Sequence, residues 1–297
     1  MSEVAEGHAA GLADGVGDAL ARAIDAYEHT MRALLDLGQV CSDTDFDLPT
    51  ECPGWTVKDQ FSHIVGIERW MLGERDPEHD LPELDHVRGD FARRVEVSVD
   101  VRRSVAPRQI VAELGDVLVA RLSALRAPGR SLDELVASPL GGEAPLRTVL
   151  ALRTFDIWTH EQDIRRALGR PGNLDSPAAA VAVSWIRRSL PRVVARGARV
   201  ATEQSVTFDV TGPVAFCDTV QVRNGDDGKA VGVVVSGSGG GSGGSDDVPD
   251  PVARLTMDTE AFMRRTCGRW PVAETPVLVD GDDDVARRVL EAMAVTP

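Results

Sequence analysis

Lysines, long apolar runs and cysteines are all scarce in this sequence of 297 residues. The 32 Lys and Arg residues are outnumbered by 47 Asp and Glu residues, which gives a formal net charge of −15. Because such a charge repels phosphates and anionic lipid headgroups, we expect neither nucleic-acid nor membrane-surface binding. No apolar run approaches the roughly 18 to 20 residues that cross a bilayer. The N-terminal segment, rich in Ala, Gly and Asp, lacks the basic and apolar regions of a signal peptide. We therefore expect a soluble, cytoplasmic protein.

The few cysteines are widely spaced, which in a reducing compartment indicates free thiols rather than disulfides. They are Cys41, Cys52, Cys217 and Cys267. A chain of this length has room for about two domains.

Helical periodicity dominates the first two thirds of the chain and predicts a helix bundle over residues 1–200. The predicted helices cover residues 12–38, 56–72, 107–125, 146–168 and 176–195. Thr56 and Asp59 form a capping-box-like start for the second of them. Residues 90–105 combine strand-like alternation with helix-like flanks, and we favour a helix there.

The pattern changes at about Ser205 and predicts a small α+β domain over residues 201–297. Alternating segments VTFDV and AVGVVV flank the turn signals Asn224-Gly225 and Asp227-Gly228. Residues 236–247, SGSGGGSGGSDD, are predicted to be a flexible Gly/Ser-rich insertion. Two short strands and two helices complete the predicted domain.

The segment Asp156–Gly172, DIWTHEQDIRRALGRPG, places Asp156, His160 and Asp163 on one face of a predicted helix, inside its apolar stripe. Burying such groups costs free energy unless they are paired or bind a cation. The spacing of Asp156 and His160 alone also fits a simple hydrogen bond on a helix surface. Two roles fit Asp163. It either orients a metal ligand or forms a salt bridge with an arginine on a neighbouring helix.

His63, in QFSHIVGIERW, shares a helix face with Ile67 and Trp70 and is predicted to be buried. It is either a core histidine bonded to a carboxylate or a metal ligand. Two imidazoles and one carboxylate would leave zinc an open position for water or a thiol. By contrast, His29 is expected to be half-exposed and His79 and His86 to be solvated loop residues. Trp55, Trp70 and Trp158 are expected to be packing residues.

Two of these segments carry a resemblance to a known family. TECPGWTVKDQFSHIVGIERW is similar to the second helix of the DinB-like bundle superfamily, in particular of the mycothiol-dependent maleylpyruvate isomerase family of actinobacteria. DIWTHEQDIRRALGRPG resembles that family's last metal-bearing helix. The C-terminal segments VTFDVTGP, LTMDTEAFMRRTCGRW and VDGDDDVARRVLEAM are similar to the sterol-carrier-like domain that often follows.

The resemblance implies an N-terminal DinB-like four-helix bundle that binds a divalent metal, zinc by expectation, through His63, Asp156 and His160. The family often has Glu, one methylene longer, at the position of Asp156. It also implies a catalytic arginine, for which Arg94 is the nearest positional match and Arg93 the rival.

The implied activity is that of a metal-dependent enzyme that uses mycothiol either to isomerise a maleylpyruvate-like cis diacid or to transfer the thiol to an electrophile. The expected partners are therefore a small thiol and an electrophile, and the sequence fits a monomer and a homodimer equally. The alternative is a non-catalytic binding module in which the α+β domain holds an apolar ligand and the bundle is scaffold. Metal content distinguishes the two.

Overall fold

The computed structural model describes residues 3–237 and 250–296 and confirms a helix bundle followed by a small α+β part. The chain divides into two compact units. The first runs to Gly172 and includes Ser176–Ala182, and the second comprises Asn173–Asp175 and the chain from Val183 onward. The predicted boundary at residue 200 therefore lies inside the second unit. No helix in the described ranges is both long and apolar enough to span a membrane.

The first unit is built from five long helices and one short hairpin. In chain order its elements are α1 (Glu3–Val40), α2 (Val57–Met71), α3 (Gly89–Asp100), α4 (Pro107–Leu125), β1 (Leu135–Ala137), β2 (Glu143–Pro145) and α5 (Leu146–Ala167). Helices α1, α2, α4 and α5 pack against one another as a four-helix bundle, and α3 lies against α2. The β1–β2 hairpin is absent from the sequence prediction, because strands of three residues leave no detectable alternation.

Apolar stripes on the four bundle helices form the core of this unit. Residues such as Tyr27, Phe61, Leu114 and Ile157 are fully buried there. Helix α2 begins with the predicted capping box, in which Thr56 and Asp59 each accept a hydrogen bond from the other's backbone N–H. This cap fixes where α2 starts and hence which of its residues face the core.

Helix α3 approaches α2 closely at Gly66, where an added Cβ would lie 2.3 Å from the Ser98 hydroxyl oxygen. We expect Gly66→Ala to lower the free energy of unfolding by about 1 to 3 kcal/mol, because the methyl group forces the helices apart. Gly115→Ala in α4 is the matched control, since its nearest neighbour would be a Leu35 carbon at 3.9 Å. That change should stabilise by up to about 1 kcal/mol through helix propensity. Urea unfolding measures both, and equal effects would contradict the close approach.

The second unit is centred on one mixed sheet. Helix α6 (Pro177–Arg187) contributes to both units. The elements that follow it in the second unit are α7 (Leu190–Arg192), a short π-helix (Val193–Gly197), β3 (Ser205–Thr211), β4 (Phe216–Asn224), β5 (Ala230–Gly237), β6 (Ala253–Asp258), α8 (Thr259–Thr266), β7 (Leu278–Gly281) and α9 (Asp283–Ala292). The strand order is β5-β4-β3-β6-β7, with β3 and β6 parallel and the other neighbours antiparallel.

The helix predicted over 176–195 is shorter in the structure. It ends at Arg187, and Pro191 interrupts the backbone hydrogen bonding that would continue it, so the prediction is wrong in length. The apolar run that follows packs against β4, β5 and α9, which places it in the second unit.

Strand β4 and the end of β5 also differ from the sequence prediction. The pattern does not indicate β4, because its buried side chains include polar ones such as Asp218, which two bonds from Arg187 satisfy at 2.9 and 2.7 Å. Of the predicted Gly/Ser-rich insertion, Ser236 and Gly237 belong to β5, and residues 238–247 lie outside the described residues.

Candidate metal centre

The three predicted metal ligands come from two neighbouring helices of the bundle. His63 lies on α2, and Asp156 and His160 lie one turn apart on α5. Because these helices pack together, residues 93 positions apart in the chain meet in space. One potential ligand atom from each side chain lies within 4.8 Å of the others. The three side chains therefore converge as expected, while their ligation of a metal stays a prediction.

The carboxylate of Asp156 lies between the two imidazoles. Its Oδ2 is 3.2 Å from His63 Nε2, and its Oδ1 is 3.6 Å from His160 Nε2. The two imidazole rings meet edge to face, with their centroids 4.7 Å apart. The His63 and His160 side chains are only 7% and 8% exposed, whereas that of Asp156 is 26% exposed. The cluster is thus buried on its imidazole sides and reachable at its carboxylate.

Burial and neighbouring charge set the protonation of these groups. Burial lowers the pKa of His63 to about 4, so its ring is neutral at pH 7. Burial alone would raise the pKa of Asp156, but the Arg153 guanidinium and His63 outweigh it and hold that pKa well below its usual range. Burial alone would lower the pKa of His160, but hydrogen bonds to Asp156 and Asp163 outweigh it and raise that pKa.

The donor set fits a divalent cation such as zinc. A neutral imidazole and a carboxylate are already present in the protonation states that bind metals. Within the described part of the chain, His63 Nδ1 is buried without a hydrogen-bond partner, which is costly for a polar nitrogen. Two nitrogens and one carboxylate are the protein ligands of many zinc sites that keep one coordination position open for a reactant.

Trp55 forms a wall over both histidines. Its ring centroid lies 5.0 Å from that of His63 and 5.7 Å from that of His160. The indole is fixed from α3, because its Nε1 donates a 2.8 Å hydrogen bond to the buried Glu96. The preceding Gly54 has a φ of +78° and abuts the His86 ring, so a side chain would not fit there. Trp55 is therefore a packing residue, as predicted, and the residues against which it packs are the two histidines of the cluster.

A chain of buried charges extends from Asp156 into the bundle core. Arg153 donates from Nη1 to Asp156 Oδ2 and from Nε to Glu68 Oε1, each at 2.7 Å. Glu68 also accepts hydrogen bonds from Tyr27 at 2.7 Å and Arg121 at 2.6 Å. Neither Arg153 nor Glu68 is among the site residues predicted from the sequence. The available signal is the spacing of Arg153, three residues before Asp156 on the same helix.

The remaining predicted site residues lie as follows. Asp163 is fully buried, and its Oδ2 lies 3.4 Å from His160 Nδ1, a position suited to orienting that ring. Arg94 is exposed on α3 with its guanidinium over the Phe91 ring, and Arg93, also exposed, donates to the Leu81 carbonyl. The structure thus places both arginines at the surface of α3, and the catalytic role of Arg94 stays a prediction.

Three further histidines are not part of this cluster. His29 is exposed on α1, and His79 is exposed and lies 2.6 Å from Asp100. His86 is half-buried rather than exposed, because it packs under Gly54 and lies 3.2 Å from Glu96.

Comparison with known sequences finds similarity in the helical part of the chain. The profile of the family described as "Mycothiol maleylpyruvate isomerase N-terminal domain" matches residues 27–165. Two uncharacterised proteins of Mycobacterium tuberculosis, from strains CDC 1551 and H37Rv, are each 28% identical over 135 residues. That match covers 44% of this chain and spans 59% of the length of these relatives.

Comparison with solved structures gives weaker likenesses. A crystal structure of the mycothiol-dependent maleylpyruvate isomerase is 13% identical, with a TM-score of 0.48 over 89% of this chain and 92% of that one. A histidine-to-alanine mutant of the same enzyme gives a TM-score of 0.47 at the same identity and coverage. The profile match includes all three candidate ligands, His63, Asp156 and His160. Residues 27–165 of this chain, just under half of its length, are therefore similar to the mycothiol maleylpyruvate isomerase N-terminal domain family.

Proposed function

We propose that this protein is a metal-dependent enzyme that uses a low-molecular-weight thiol, mycothiol, as its cosubstrate. The observation that carries the proposal is the buried cluster of His63, Asp156 and His160, whose ligand atoms lie within 4.8 Å of one another. A divalent ion, zinc by expectation, would be held by these three side chains and would lower the pKa of a bound thiol toward or below neutrality.

The residues around the cluster support the same chemistry. Trp55 packs against both imidazoles and limits access to the site from that side. Arg153 fixes the Asp156 carboxylate, and the solvent-accessible edge of that carboxylate leaves an approach for a thiol and an acceptor. The cluster is thus packed against an indole on one side and accessible at its carboxylate, an arrangement that suits a reaction between two small molecules.

The proposed reaction is either isomerisation or thiol transfer. In the isomerisation, the thiolate adds to the cis double bond of a maleylpyruvate-like diacid and the adjacent carbon takes up a proton. Rotation about the new single bond follows, and loss of that proton and of the thiolate then gives the trans isomer. In the transfer, the sequence stops after addition, or the thiolate displaces a leaving group. In either reaction, Arg94 is proposed as the catalytic arginine. Residues 201–297 are proposed to form a sterol-carrier-like domain.

The test is turnover of maleylpyruvate by the zinc-loaded protein with and without added mycothiol. We expect turnover only with the thiol, because in the proposed mechanism the nucleophile is the sulfur of mycothiol and not a protein group. A parallel assay with a thiol-reactive alkyl halide separates transfer from isomerisation by its product. Absence of turnover in both assays, with zinc bound and mycothiol present, would favour the non-catalytic binding module.

Cys52 is the internal alternative to the added thiol, since it lies in the loop just before α2 and is half-buried. We expect Cys52→Ala to retain turnover and its requirement for mycothiol. Full turnover of the unaltered protein without thiol, and its loss in the Cys52 variant, would place the nucleophile on the protein.

A further inference from the structure

Arg153 is a buried cation held directly against a candidate metal ligand. The residue is only 2% exposed, and its Nη1 lies 2.7 Å from Asp156 Oδ2. Its Nη2 is buried without a hydrogen-bond partner among the described residues. A guanidinium in this position is costly to bury, so its charge must be matched by nearby acids.

Glu68 alone cannot match that charge, because it is shared. Its Oε1 accepts from Arg153 Nε at 2.7 Å, while its Oε2 accepts from Arg121 Nε at 2.6 Å. Two buried guanidiniums therefore flank one buried carboxylate, and the second negative charge in contact with them is that of Asp156. The negative charge of Asp156 is thus already paired with the positive charge of Arg153 within the protein.

This pairing changes what the cluster offers a cation. Two neutral imidazoles and a carboxylate normally cancel one of the two charges of a divalent metal. Here the Arg153 guanidinium offsets the Asp156 carboxylate, so Asp156 cancels less of the ion's charge than an unpaired carboxylate would, and the charge that remains is costly in a buried site. An anion entering the open position would relieve that cost, and a neutral ligand would not.

We propose that Arg153 is a positioning residue that makes the metal centre select an anionic external ligand over a neutral one. The chemical class that fits is a thiolate or a carboxylate rather than an amine or an uncharged thiol. This inference rests on the proposed function in requiring that the three clustered side chains bind a metal. It adds that ligand selectivity resides in a residue that does not itself touch the metal.

The experiment loads the protein with Co²⁺, whose visible absorption reports changes in coordination, and titrates it with azide or imidazole. Azide is the anionic probe and imidazole the neutral one. We expect Arg153→Gln to weaken azide binding by about tenfold or more, as the loss of a buried positive charge near the anion requires. Imidazole affinity should change by less than about twofold, and Arg153→Lys should keep azide affinity because it keeps the charge.

Arg121→Gln is the matched control, because it removes a guanidinium from the same Glu68 carboxylate without touching Asp156. This variant should retain the azide preference. Unchanged azide affinity in Arg153→Gln, or equal losses for azide and imidazole, would overturn the inference. If Arg153→Gln does not fold, Arg153→Lys decides: retained azide preference supports the inference and lost preference overturns it. Failure of the unaltered protein to bind Co²⁺ would instead overturn the proposed metal centre, and this inference with it.

Discussion

Replacing His160 by Ala should abolish stoichiometric metal binding, and with it all thiol-dependent turnover. Among the described residues, His160 offers one of the three candidate ligand atoms of the cluster. The two that remain, on His63 and Asp156, cannot hold zinc in competition with a chelator, since zinc sites of this class use three protein ligands. Elemental analysis of the purified variant, after dialysis against a weak chelator, measures the effect directly.

His79→Ala is the control for that experiment. His79 is exposed and pairs with Asp100 at 2.6 Å, outside the cluster of candidate ligands. Its removal should leave the metal content at one ion per chain. Equal metal content in the His160 and His79 variants would refute the assignment of the site.

The second large effect concerns stability rather than chemistry. Glu68→Gln should lower the free energy of unfolding by about 3 to 5 kcal/mol, because it leaves the guanidiniums of Arg121 and Arg153 buried without a shared counter-charge. Glu68 is fully buried, so water cannot replace the lost charge. Equilibrium unfolding in urea measures this difference.

Glu74→Gln supplies the surface comparison, since Glu74 also pairs with an arginine, Arg69, but its side chain is 50% exposed. Its loss should cost less than about 1 kcal/mol.

The effect of Glu68→Gln on stability should also depend on pH. Burial would raise the pKa of Glu68, but Arg153 and Arg121 outweigh it and lower that pKa. Its contribution is therefore complete above the unfolded-state pKa and disappears as the pH falls through the folded-state pKa. A deficit in the variant that stayed constant down to that pH would contradict the role assigned to the Glu68 charge.

The convergence of the three candidate ligands could be predicted from the sequence because polar groups stand where apolar ones are expected. Asp156 and His160 fall inside the apolar stripe of their helix, and His63 shares a face with Ile67 and Trp70. A buried imidazole or carboxylate requires a partner, so local pattern indicates at each position either a hydrogen-bonded pair or a metal site, and the family resemblance favours the metal site. The capping box at Thr56 adds a second signal, because it fixes the start of α2 and hence the face on which His63 lies.

The surroundings of the cluster could not be predicted in the same way. Arg153 and Glu68 have the pattern of ordinary charged residues of amphipathic helices, and only the packing of α2 against α5 buries both and joins them. Trp55 has the pattern of a packing residue, and only the position of α3 turns it toward the histidines by fixing its Nε1 on Glu96. These roles depend on which helix faces become neighbours, which local periodicity does not encode.

Local signals along the chain were sufficient for the helical first part, the α+β second part and the burial of the three side chains at the candidate centre, whose grouping into one ligand set came from the family resemblance. Those features follow from periodicity, turn residues and the cost of burying polar groups, all of which act over a few residues. Long-range packing was needed to establish which cation pairs with Asp156, which indole covers the histidines and at which residue α6 ends. Those features depend on contacts between segments far apart in the chain, where the free energy comes from packing and desolvation rather than from local conformation.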